Sequence, residues 1–330
     1  MRVFVTHNPE DLDAYYGRAL PELEAISDVV LNPLDRDLTT TELIDHAANC
    51  EVIVAHRATP GEAVAFEQLP ELVAFLRTAV DISTIDVDAA SENGVLVAHA
   101  EKSFVPSTAE LALVLLMDTA RNVSVSTIDF QNGIEPPQRA GRQLRGQVAG
   151  IIGYGAVGSY LAQLLADIGM SVLVTDPYVT EVADGMERVS LDELLAQSDA
   201  VFPLAPANAE TENLIDAAAL AAMRPGTTLI NVSRGELLDE DAVAEALDSG
   251  HLGALGLDVG RAADQRPSAD LAGRPGVVAT PHLGGLTPEN ADAQAASSVE
   301  QVSAILAKEV PPRTVNPADA SRLVAWWDRE

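Results

Sequence analysis

The sequence predicts an α/β protein made of two units, each built around a mostly parallel β-sheet. Short apolar runs alternate with longer helix-like stretches along the whole chain, which is typical of βαβ units. A length of 330 residues fits two domains. A hydrophobic content of 47% with only 21% charged residues is enough to form apolar cores. This composition excludes a disordered acidic protein.

The chain is strongly acidic. It has 50 acidic and 20 basic side chains, so its formal net charge is 20 − 50 = −30. Because this charge repels phosphate backbones and anionic lipids, we expect no nucleic-acid partner and no membrane partner. No uncharged apolar run reaches the roughly 18 residues that a membrane span needs, and the first residues lead directly into a strand pattern. We therefore expect a cytoplasmic protein.

Strand patterns recur through both halves of the chain. In the first hundred residues, Thr39 and Thr40 are expected to cap a helix. Further along, Ser107 and Glu110 have the spacing of a capping box, which predicts the start of a longer helix that ends near Arg121. A polar connector at 131–146 follows that helix, and an Ala-rich helix follows Pro288. The predicted strands cover residues 2–6, 29–31, 52–55, 72–76, 95–98, 147–153, 171–175, 200–205, 227–232, 254–259 and 277–280.

A glycine-rich loop ends the strand predicted before residue 153. It matches G-x-G-x-x-G with Gly153, Tyr154, Gly155, Ala156, Val157 and Gly158. A helix-like stretch follows, so the loop would present backbone N–H groups and the positive end of a helix to a pyrophosphate. Asp176 ends the next predicted strand, 176 − 158 = 18 residues further on, where a carboxylate binds a ribose 2′-hydroxyl and repels a 2′-phosphate. The loop predicts a Rossmann-type domain that binds NAD.

Three ionisable residues follow the carboxyl ends of later predicted strands, where an open parallel sheet binds its ligands. They are Arg234, Asp258 and His282. The arginine fork matches a carboxylate, and a histidine can exchange a proton with a hydroxyl while hydride moves to or from the cofactor. Together they favour a 2-oxo acid and 2-hydroxy acid pair, although each residue alone has an equally good structural interpretation. The other histidines lack metal-ligand spacing, so we expect no metal.

These residues resemble the D-isomer-specific 2-hydroxyacid dehydrogenases over essentially the whole chain. The resemblance implies a homodimer formed through the NAD domains, with the helix near 106–121 contributing. It also implies that residues 1–99 and 287–330 form a smaller flavodoxin-like substrate domain, into which a Rossmann-type NAD domain at 100–286 is inserted. The most specific segments are IIGYGAVG at 151–158, MRPGTTLINVSRGELLDE at 223–240, LDV at 257–259 and TPHLGGLTPE at 280–289.

The resemblance also implies a role for individual residues. Arg234 would hold the substrate carboxylate and carbonyl, His282 would be the acid/base, and Asp258 would bind the nicotinamide carboxamide. In the smaller domain, the backbone near Ala79 and Val80 would hold the carboxylate. His56 or Arg57 would reach the substrate from the other side. Further cofactor contacts would come from Pro177, Pro206, Val232, Ser233 and Gly285.

One departure from the family pattern concerns the partner of the acid/base. The family places a Glu directly before a Pro a few residues after the Asp, and that carboxylate bonds the catalytic histidine. Here Arg266 precedes Pro267. Asp264 could replace the missing carboxylate if the longer loop folds back, or Gln265 could orient the ring without charge.

Two hypotheses follow from these observations. The first is a cytoplasmic NAD-dependent dehydrogenase that interconverts a small 2-oxo acid and a D-2-hydroxy acid. The second is a family member that binds NAD, has weak or no dehydrogenase activity, and acts as a sensor or interaction protein. The altered loop at 258–267 keeps the second hypothesis open.

Overall fold

The computed structural model describes residues 1–262 and 264–329, and these residues form two compact units. Unit 1 contains Met1–Ser103 together with the segment that begins at Pro288, and unit 2 contains Phe104–Thr287. These divisions lie close to the domain boundaries expected at 99/100 and 286/287. The roles assigned to the two units stay predictions.

The strands of both units are short, and most of them are buried. In chain order they are β1 (Arg2–Val5), β2 (Asp28–Leu31), β3 (Val52–Ala55), β4 (Ala74–Arg77), β5 (Leu96–Ala98), β6 (Val148–Ile152), β7 (Ser171–Thr175), β8 (Met186–Arg188), β9 (Ala200–Pro203), β10 (Thr227–Asn231), β11 (Leu252–Leu257) and β12 (Val277–Ala279). All described strand pairs are parallel.

Helices connect the strands, and two further helices follow the last strand. They are α1 (Pro9–Ala14), α2 (Leu20–Ile26), α3 (Thr40–Ala47), α4 (Ala63–Gln68), α5 (Val87–Glu92), α6 (Val105–Arg121), α7 (Val123–Gln131), α8 (Ala156–Asp167), α9 (Leu191–Gln197), α10 (Ala217–Ala222), α11 (Glu240–Asp248), α12 (Ala269–Ala272), α13 (Pro288–Leu306) and α14 (Ser321–Trp327). No single helix of the described residues is long and apolar enough to cross a bilayer, but α6 and α7, bent by 68°, meet the length and composition criteria as a pair.

Each unit has the strand order of a known parallel-sheet class. Unit 1 has the order β2-β1-β3-β4-β5, which is the flavodoxin-like order. Unit 2 has the order β12-β11-β10-β9-β6-β7-β8, which contains the doubly wound Rossmann arrangement with one further strand. The predicted fold class, a Rossmann-type domain inserted in a smaller flavodoxin-like α/β domain, is therefore confirmed.

Two apolar layers sandwich each sheet. In β1, Val3 and Val5 pack into the core on one face, whereas Phe4 packs into the core on the other. In β6, Ile151 and Ile152 divide between two cores in the same way. Because such strands are buried on both faces, they appear in the sequence as continuous apolar runs, and this pattern made them recognisable.

The differences from the predicted elements lie at helix starts and at one sheet edge. Thr39 forms the expected capping box with Glu42. The capping box expected at Ser107 was wrong, because α6 begins at Val105 with Pro106 in its first turn. Helix α7 was not predicted, and neither was the edge strand β8.

The C-terminal segment of the chain is anchored within unit 1. Trp326 and Trp327 pack against the same core as β1, and Trp327 donates its indole N–H to the carbonyl of Ile305 at 2.8 Å. The buried Tyr16 hydroxyl lies 2.6 Å from the Ser298 hydroxyl on α13. Unit 1 is thus closed by contacts between the first and last parts of the chain.

Replacement of Tyr16 by Phe tests that closure. We expect it to lower the free energy of unfolding of unit 1 by about 1 kcal/mol, because the buried hydrogen bond to Ser298 is lost while the Ser298 hydroxyl still donates to Ala295 O. Both tryptophans of the chain lie in unit 1, so urea unfolding followed by tryptophan fluorescence reports on this unit. Tyr178→Phe is the matched control, since the Tyr178 side chain is 84% exposed. Equal midpoints for the two variants would contradict the closure.

Candidate functional site

The glycine loop turns sharply between β6 and α8. Gly153 has φ +97°, and a Cβ there would lie 2.8 Å from the backbone N of Ala205. A Cβ on Gly158 would overlap the carbonyl of Gly153. At Gly155, by contrast, a Cβ would meet nothing within 4 Å. The loop is therefore packed tightly at its first and third glycines and open at its second.

The open side of this loop is the N-terminus of α8. Gly155 is the N-cap and supplies no side-chain cap, and the first helical hydrogen bond runs from Ser159 N to Gly155 O at 2.9 Å. The N–H groups at 156–158 thus have no partner inside the helix, and they carry the positive end of its dipole. Such a helix end binds a phosphate group.

Asp176 directly follows β7 and is half-buried. Its Oδ2 accepts a hydrogen bond from the backbone N–H of Tyr154 at 2.7 Å, and its Oδ1 accepts one from Tyr178 N at 2.8 Å. These bonds fix the glycine loop to the end of β7. A carboxylate accepts about four hydrogen bonds, so capacity remains for a ribose hydroxyl. Pro177, the next residue, is exposed.

The residues after β9 and β10 lie on the same edge of the sheet. The hydroxyl of Ser233 donates to the carbonyl of Ala205 at 3.1 Å, and Ala205 is the neighbour against which Gly153 packs. Pro206 follows Ala205, and Val232 is buried beside Ser233. The structure thus brings these predicted cofactor residues to the carboxyl edge that carries the glycine loop.

Arg234 lies in a turn that the last residue of β10 shapes. Asn231 is fully buried; its Oδ1 accepts from Ser233 N at 3.0 Å, and its Nδ2 donates to Arg234 O at 2.8 Å. The Arg234 side chain is half-buried and donates from Nη1 to the carbonyl of Ser233 at 2.8 Å. No carboxylate of the described residues forms an ion pair with it, so most of its fork is open to an anionic ligand.

Asp258 and His282 follow β11 and β12 and are held together. Asp258 is fully buried; its Oδ1 accepts from the Thr280 hydroxyl and from Leu283 N, both at 2.6 Å, and its Oδ2 accepts from Gly284 N at 2.8 Å. His282 lies between these donors with φ +62°. Its imidazole is half-buried and has no hydrogen-bond partner among the described residues. Gly285 belongs to the same turn.

The predicted partners of His282 lie elsewhere. Asp264 is exposed, and its carboxylate pairs with Nε of Arg266 at 3.2 Å and accepts from the backbone N of the same residue. Gln265 is fixed through its backbone, which donates to Ala262 O at 2.7 Å and accepts from Gly260 N at 2.9 Å. Within the described part of the chain, neither side chain contacts the imidazole of His282. The structure therefore does not bring the predicted substitutes to the histidine.

The predicted substrate residues of unit 1 lie at the carboxyl ends of β3 and β4. Arg57 is exposed, whereas Ala79 and Val80 are half-buried. The buried Arg77 donates to Thr59 O at 2.9 Å and also to His56 O, and it thereby holds the backbone around Arg57. Burial lowers the pKa of Arg77 to about 10.

Sequence reasoning missed a polar cluster at the same edge of unit 1. His7 follows β1, is fully buried, stacks on Tyr16 with ring centroids 4.1 Å apart, and places Nε2 3.1 Å from the Thr78 hydroxyl. Its ring lies 5.2 Å from that of His56. Arg234 and His282 were singled out because they follow the carboxyl ends of strands. The same criterion would have identified His7.

His56 also faces two carboxylates. Its Nδ1 lies 3.7 Å from Asp11 Oδ2 and 3.5 Å from Asp37 Oδ1, and the three atoms lie within 4.8 Å of one another, which is close enough to hold a metal ion. Histidine spacing alone could not reveal this group, because its acidic members come from other segments. Burial lowers the pKa of His56, and Asp11 and Asp37 oppose that shift.

The family model for the NAD-binding domain of D-isomer specific 2-hydroxyacid dehydrogenases matches residues 113–284. Among curated relatives, the D-3-phosphoglycerate dehydrogenase of Mycobacterium tuberculosis is 35% identical over 286 residues, which cover 86% of this chain and 53% of that protein. The hydroxypyruvate reductase of Thermotoga maritima is 31% identical over 311 residues, which cover 92% of this chain and 98% of that protein. The chain thus spans about half the length of the mycobacterial relative.

Solved structures are similar over nearly the whole chain. The TT0316 protein of Thermus thermophilus superposes with a TM-score of 0.84 at 29% identity, covering 96% of this chain and 100% of the other. A D-2-hydroxyisocaproate dehydrogenase superposes with a TM-score of 0.86 at 23% identity, covering 96% and 100%. At 23% identity, the similarity to the second structure shows a shared fold.

The buried histidine of unit 1 generates a pH prediction. Burial, with His56 and Arg77 adding to it, lowers the pKa of His7 well below its ordinary value of 6.5. The unfolded chain then binds a proton here that the folded chain does not, so stability is complete above pH 6.5 and falls as the pH drops below it. The slope is at most about 1.4 kcal/mol per pH unit for one proton.

The variant His7→Gln cannot titrate at this position. We expect its free energy of unfolding to fall less than that of the wild type between about pH 7.5 and about pH 5.5, measured by tryptophan fluorescence in urea. The control is His46→Gln on the exposed side of α3, which should retain the wild-type dependence. An identical pH dependence in His7→Gln and the wild type would show that His7 does not carry the effect.

Proposed function

Because the chain belongs to the D-isomer specific 2-hydroxyacid dehydrogenase family, we propose that it interconverts a small 2-oxo acid and a D-2-hydroxy acid by NAD-dependent hydride transfer. One observation carries the proposal: the residues that follow β10, β11 and β12 are Arg234, Asp258 and His282, on the edge that also carries the glycine loop. This edge is where doubly wound sheets bind dinucleotides.

The cofactor site fits NAD. The N–H groups at 156–158 suit the pyrophosphate, and the open space at Gly155 lets it approach the backbone. The Asp176 carboxylate suits a ribose 2′-hydroxyl and repels a 2′-phosphate, which supports NAD over NADP. Further contacts are proposed for Tyr154, Ala156, Val157, Pro177, Pro206, Val232, Ser233 and Gly285. When bound, NADH supplies the hydride.

We assign the substrate carboxylate and carbonyl to Arg234. Its guanidinium has a planar fork of donors, and the Asn231 turn holds its backbone. A positive charge beside the carbonyl also stabilises the negative charge that develops on the oxygen as hydride adds to the carbon. The contacts of Arg57, Ala79 and Val80 with the substrate stay predictions.

We assign proton transfer to and from the substrate oxygen to His282. In the direction of reduction, its imidazolium donates a proton to the 2-oxo oxygen, which becomes the hydroxyl, and the reverse reaction returns the proton to the ring. Its half-buried imidazole has no protein partner in the described chain, so the ring is available to the substrate. Asp264 is withdrawn from this mechanism, because its carboxylate pairs with Arg266.

The relatives favour the enzyme over the sensor. The named relatives are dehydrogenases and reductases, and nothing among them supports a protein that binds NAD without turnover. Their names differ in substrate: one is a D-3-phosphoglycerate dehydrogenase, another a hydroxypyruvate reductase and a third an (S)-sulfolactate dehydrogenase. We therefore propose the small 2-oxo acid and its 2-hydroxy acid as the substrate class.

We also propose a cytoplasmic homodimer formed through unit 2. Helix α7 and the residues after it expose large apolar side chains, in contrast to the polar surface expected of a monomer. The formal net charge of −30 disfavours membrane and nucleic-acid partners. The exposed apolar residues are Val123 (56%), Val125 (41%), Ile128 (53%), Phe130 (67%) and Ile134 (56%).

The activity is tested by NADH oxidation with glyoxylate, hydroxypyruvate, pyruvate and phenylpyruvate. We expect turnover of at least one acid, and His282→Gln should lower kcat by roughly 10²- to 10⁴-fold because the proton donor is lost. The matched control is His251→Gln, since His251 lies at the amino end of β11 and bonds Leu220 O. Tight NADH binding without turnover of any acid would favour the sensor.

Arg234→Ala should raise KM and lower kcat together, because carboxylate binding and charge stabilisation are both lost. We expect a loss in kcat/KM of at least about 100-fold, in line with a charge-assisted contact that strengthens in the transition state. The control is Arg224→Ala, which removes an exposed ion pair to Asp199 before β9. An unchanged kcat/KM in Arg234→Ala would remove this residue from the site.

The dimer is tested by light scattering after gel filtration. Replacement of Val123, Ile128 and Phe130 by Ser should convert the dimer into a monomer, because these side chains form the proposed contact. The control is Val310→Ser in unit 1, where a similarly exposed apolar side chain is removed. A wild-type monomer, or a triple variant that stays dimeric, would contradict this interface.

A further inference from the structure

Three acceptor atoms converge at the carboxyl edge of the sheet in unit 1. Nδ1 of His56 lies 3.5 Å from Oδ1 of Asp37 and 3.7 Å from Oδ2 of Asp11, and the three atoms lie within 4.8 Å of one another. Asp11 belongs to α1, Asp37 to the loop after β2, and His56 directly follows β3. The fold, rather than a local sequence motif, therefore brings these atoms together.

The nitrogen of this group carries a lone pair rather than a proton. The backbone N–H of Ala58 donates to Nδ1 of His56 at 3.4 Å, so Nδ1 is the acceptor in that contact. Burial also favours the neutral ring, because it lowers the pKa of His56. At 3.4 Å the hydrogen bond from Ala58 is weak. The two carboxylate oxygens thus face an electron pair and receive no proton from the imidazole.

One oxygen of the group is buried without a hydrogen bond. Oδ2 of Asp11 has no hydrogen-bond partner among the described residues. Burial accordingly raises the pKa of Asp11. A buried carboxylate oxygen without a donor costs free energy, and a cation in contact with it would offset that cost.

A second buried acceptor adjoins the group. His7 is fully buried, and its ring centroid lies 5.2 Å from that of His56. The Thr78 hydroxyl donates to Ala55 O at 3.1 Å, so it accepts from Nε2 of His7, also at 3.1 Å. Nδ1 of His7 then keeps its lone pair, and within the described part of the chain it has no partner. Two buried acceptors without donors in one cluster favour a ligand that is positively charged.

The backbone holds the converging residues in place. His56 N donates to the Thr6 hydroxyl at 2.8 Å, and His56 O accepts from the buried Arg77 guanidinium. The buried Asn32 donates from Nδ2 to the carbonyl of Thr6 at 3.1 Å, which fixes the loop that carries Asp37. Ligands that are fixed before binding lose little conformational entropy when a metal binds.

The spacing and the ligand types fit Zn²⁺. Zinc binds His nitrogen and Asp oxygen at about 2.1 Å in tetrahedral geometry, which places neighbouring ligand atoms about 3.4 Å apart. The distances of 3.5 and 3.7 Å lie close to that value. The octahedral geometry that Mg²⁺ requires would place them about 3.0 Å apart. Three protein ligands leave the fourth tetrahedral position to water or to an oxygen of a small molecule.

We propose that Asp11, Asp37 and His56 form a Zn²⁺ site in unit 1, although the spacing of the histidines in the sequence predicts no metal. The ion balances the charge of the two carboxylates and gives Oδ2 of Asp11 the partner that it lacks among the described residues. Metal ligation replaces the weak contact between Ala58 N and Nδ1 of His56. The inference does not depend on the proposed function, because all of its residues belong to unit 1.

The test is a titration of the full chain with ZnCl₂ by isothermal titration calorimetry, after treatment with EDTA and desalting. About 1 mM CaCl₂ is present throughout to occupy exposed carboxylates, which suit this hard cation. We expect one strong site per chain, with a Kd on the order of micromolar or tighter. MgCl₂ in place of ZnCl₂ should give no strong site, because the ligand spacing and the imidazole do not suit Mg²⁺.

Three variants each weaken one ligand. His56→Gln, Asp11→Asn and Asp37→Asn should each raise the Kd for Zn²⁺ at least about tenfold. The Asp37 side chain is 50% exposed, so Asp37→Asn tests the site even if the other two variants do not fold. The matched controls are Asp13→Asn on α1 and His46→Gln on α3, both exposed, which should keep the wild-type Kd.

Urea unfolding gives a second readout, which places the ion in unit 1. A ligand that binds only the folded state stabilises it. Zn²⁺ should therefore move the midpoint of tryptophan fluorescence to higher urea in the wild type, since both tryptophans pack in unit 1. In Asp37→Asn we expect a much smaller shift at the same Zn²⁺ concentration.

Any of three results would refute the inference. The first is a wild-type chain without a strong Zn²⁺ site. The second is an unchanged Kd in every ligand variant that folds, which would place the ion elsewhere on the acidic surface. The third is a wild-type urea midpoint that Zn²⁺ does not move. The dehydrogenase activity is measured separately by NADH oxidation, so either proposal can fail alone.

Discussion

The parallel pairing of β10, β11 and β12 is the constraint on which the site depends. Asn231, Leu257 and Ala279 are register partners across these strands, so the strands end level with one another. The chain then leaves the sheet at one edge three times in succession. Residues far apart in sequence are collected there without any contact between their side chains being required.

Buried or half-buried polar residues at the carboxyl ends of the strands fix the turns at this edge of the sheet. Asn231 bonds both sides of the turn that carries Arg234, Asp258 bonds both sides of His282, and Asp176 bonds the glycine loop. In each case a group that is costly to bury satisfies backbone groups that a tight turn leaves unpaired. The conformations of the turns that carry the functional groups thus depend on these polar residues.

Contiguous motifs and strands buried on both faces could be predicted from the sequence. Contacts between residues far apart in the chain could not. Strands such as β3 form continuous apolar runs, and the glycine loop is one contiguous motif. Strand β8 escaped notice because it is a three-residue edge strand with little burial. The start of α6 was misplaced because Pro106, not Ser107, marks its first turn. The hydrogen bonds from the turn of His282 to Asp258 could not be predicted, since Asp258 and Gly284 lie 26 positions apart.

In unit 1, polar residues also follow the carboxyl ends of the strands, but there burial favours the neutral forms of the histidines. After β1 and β3, burial lowers the pKa values of His7 and His56, so both rings offer neutral donors and acceptors near pH 7. Burial likewise raises the pKa of Asp11 beside them. The buried Arg77 spends its donors mainly on backbone carbonyls. Arg57 is an exposed cation beside this cluster, and its contact with an acidic substrate stays a prediction.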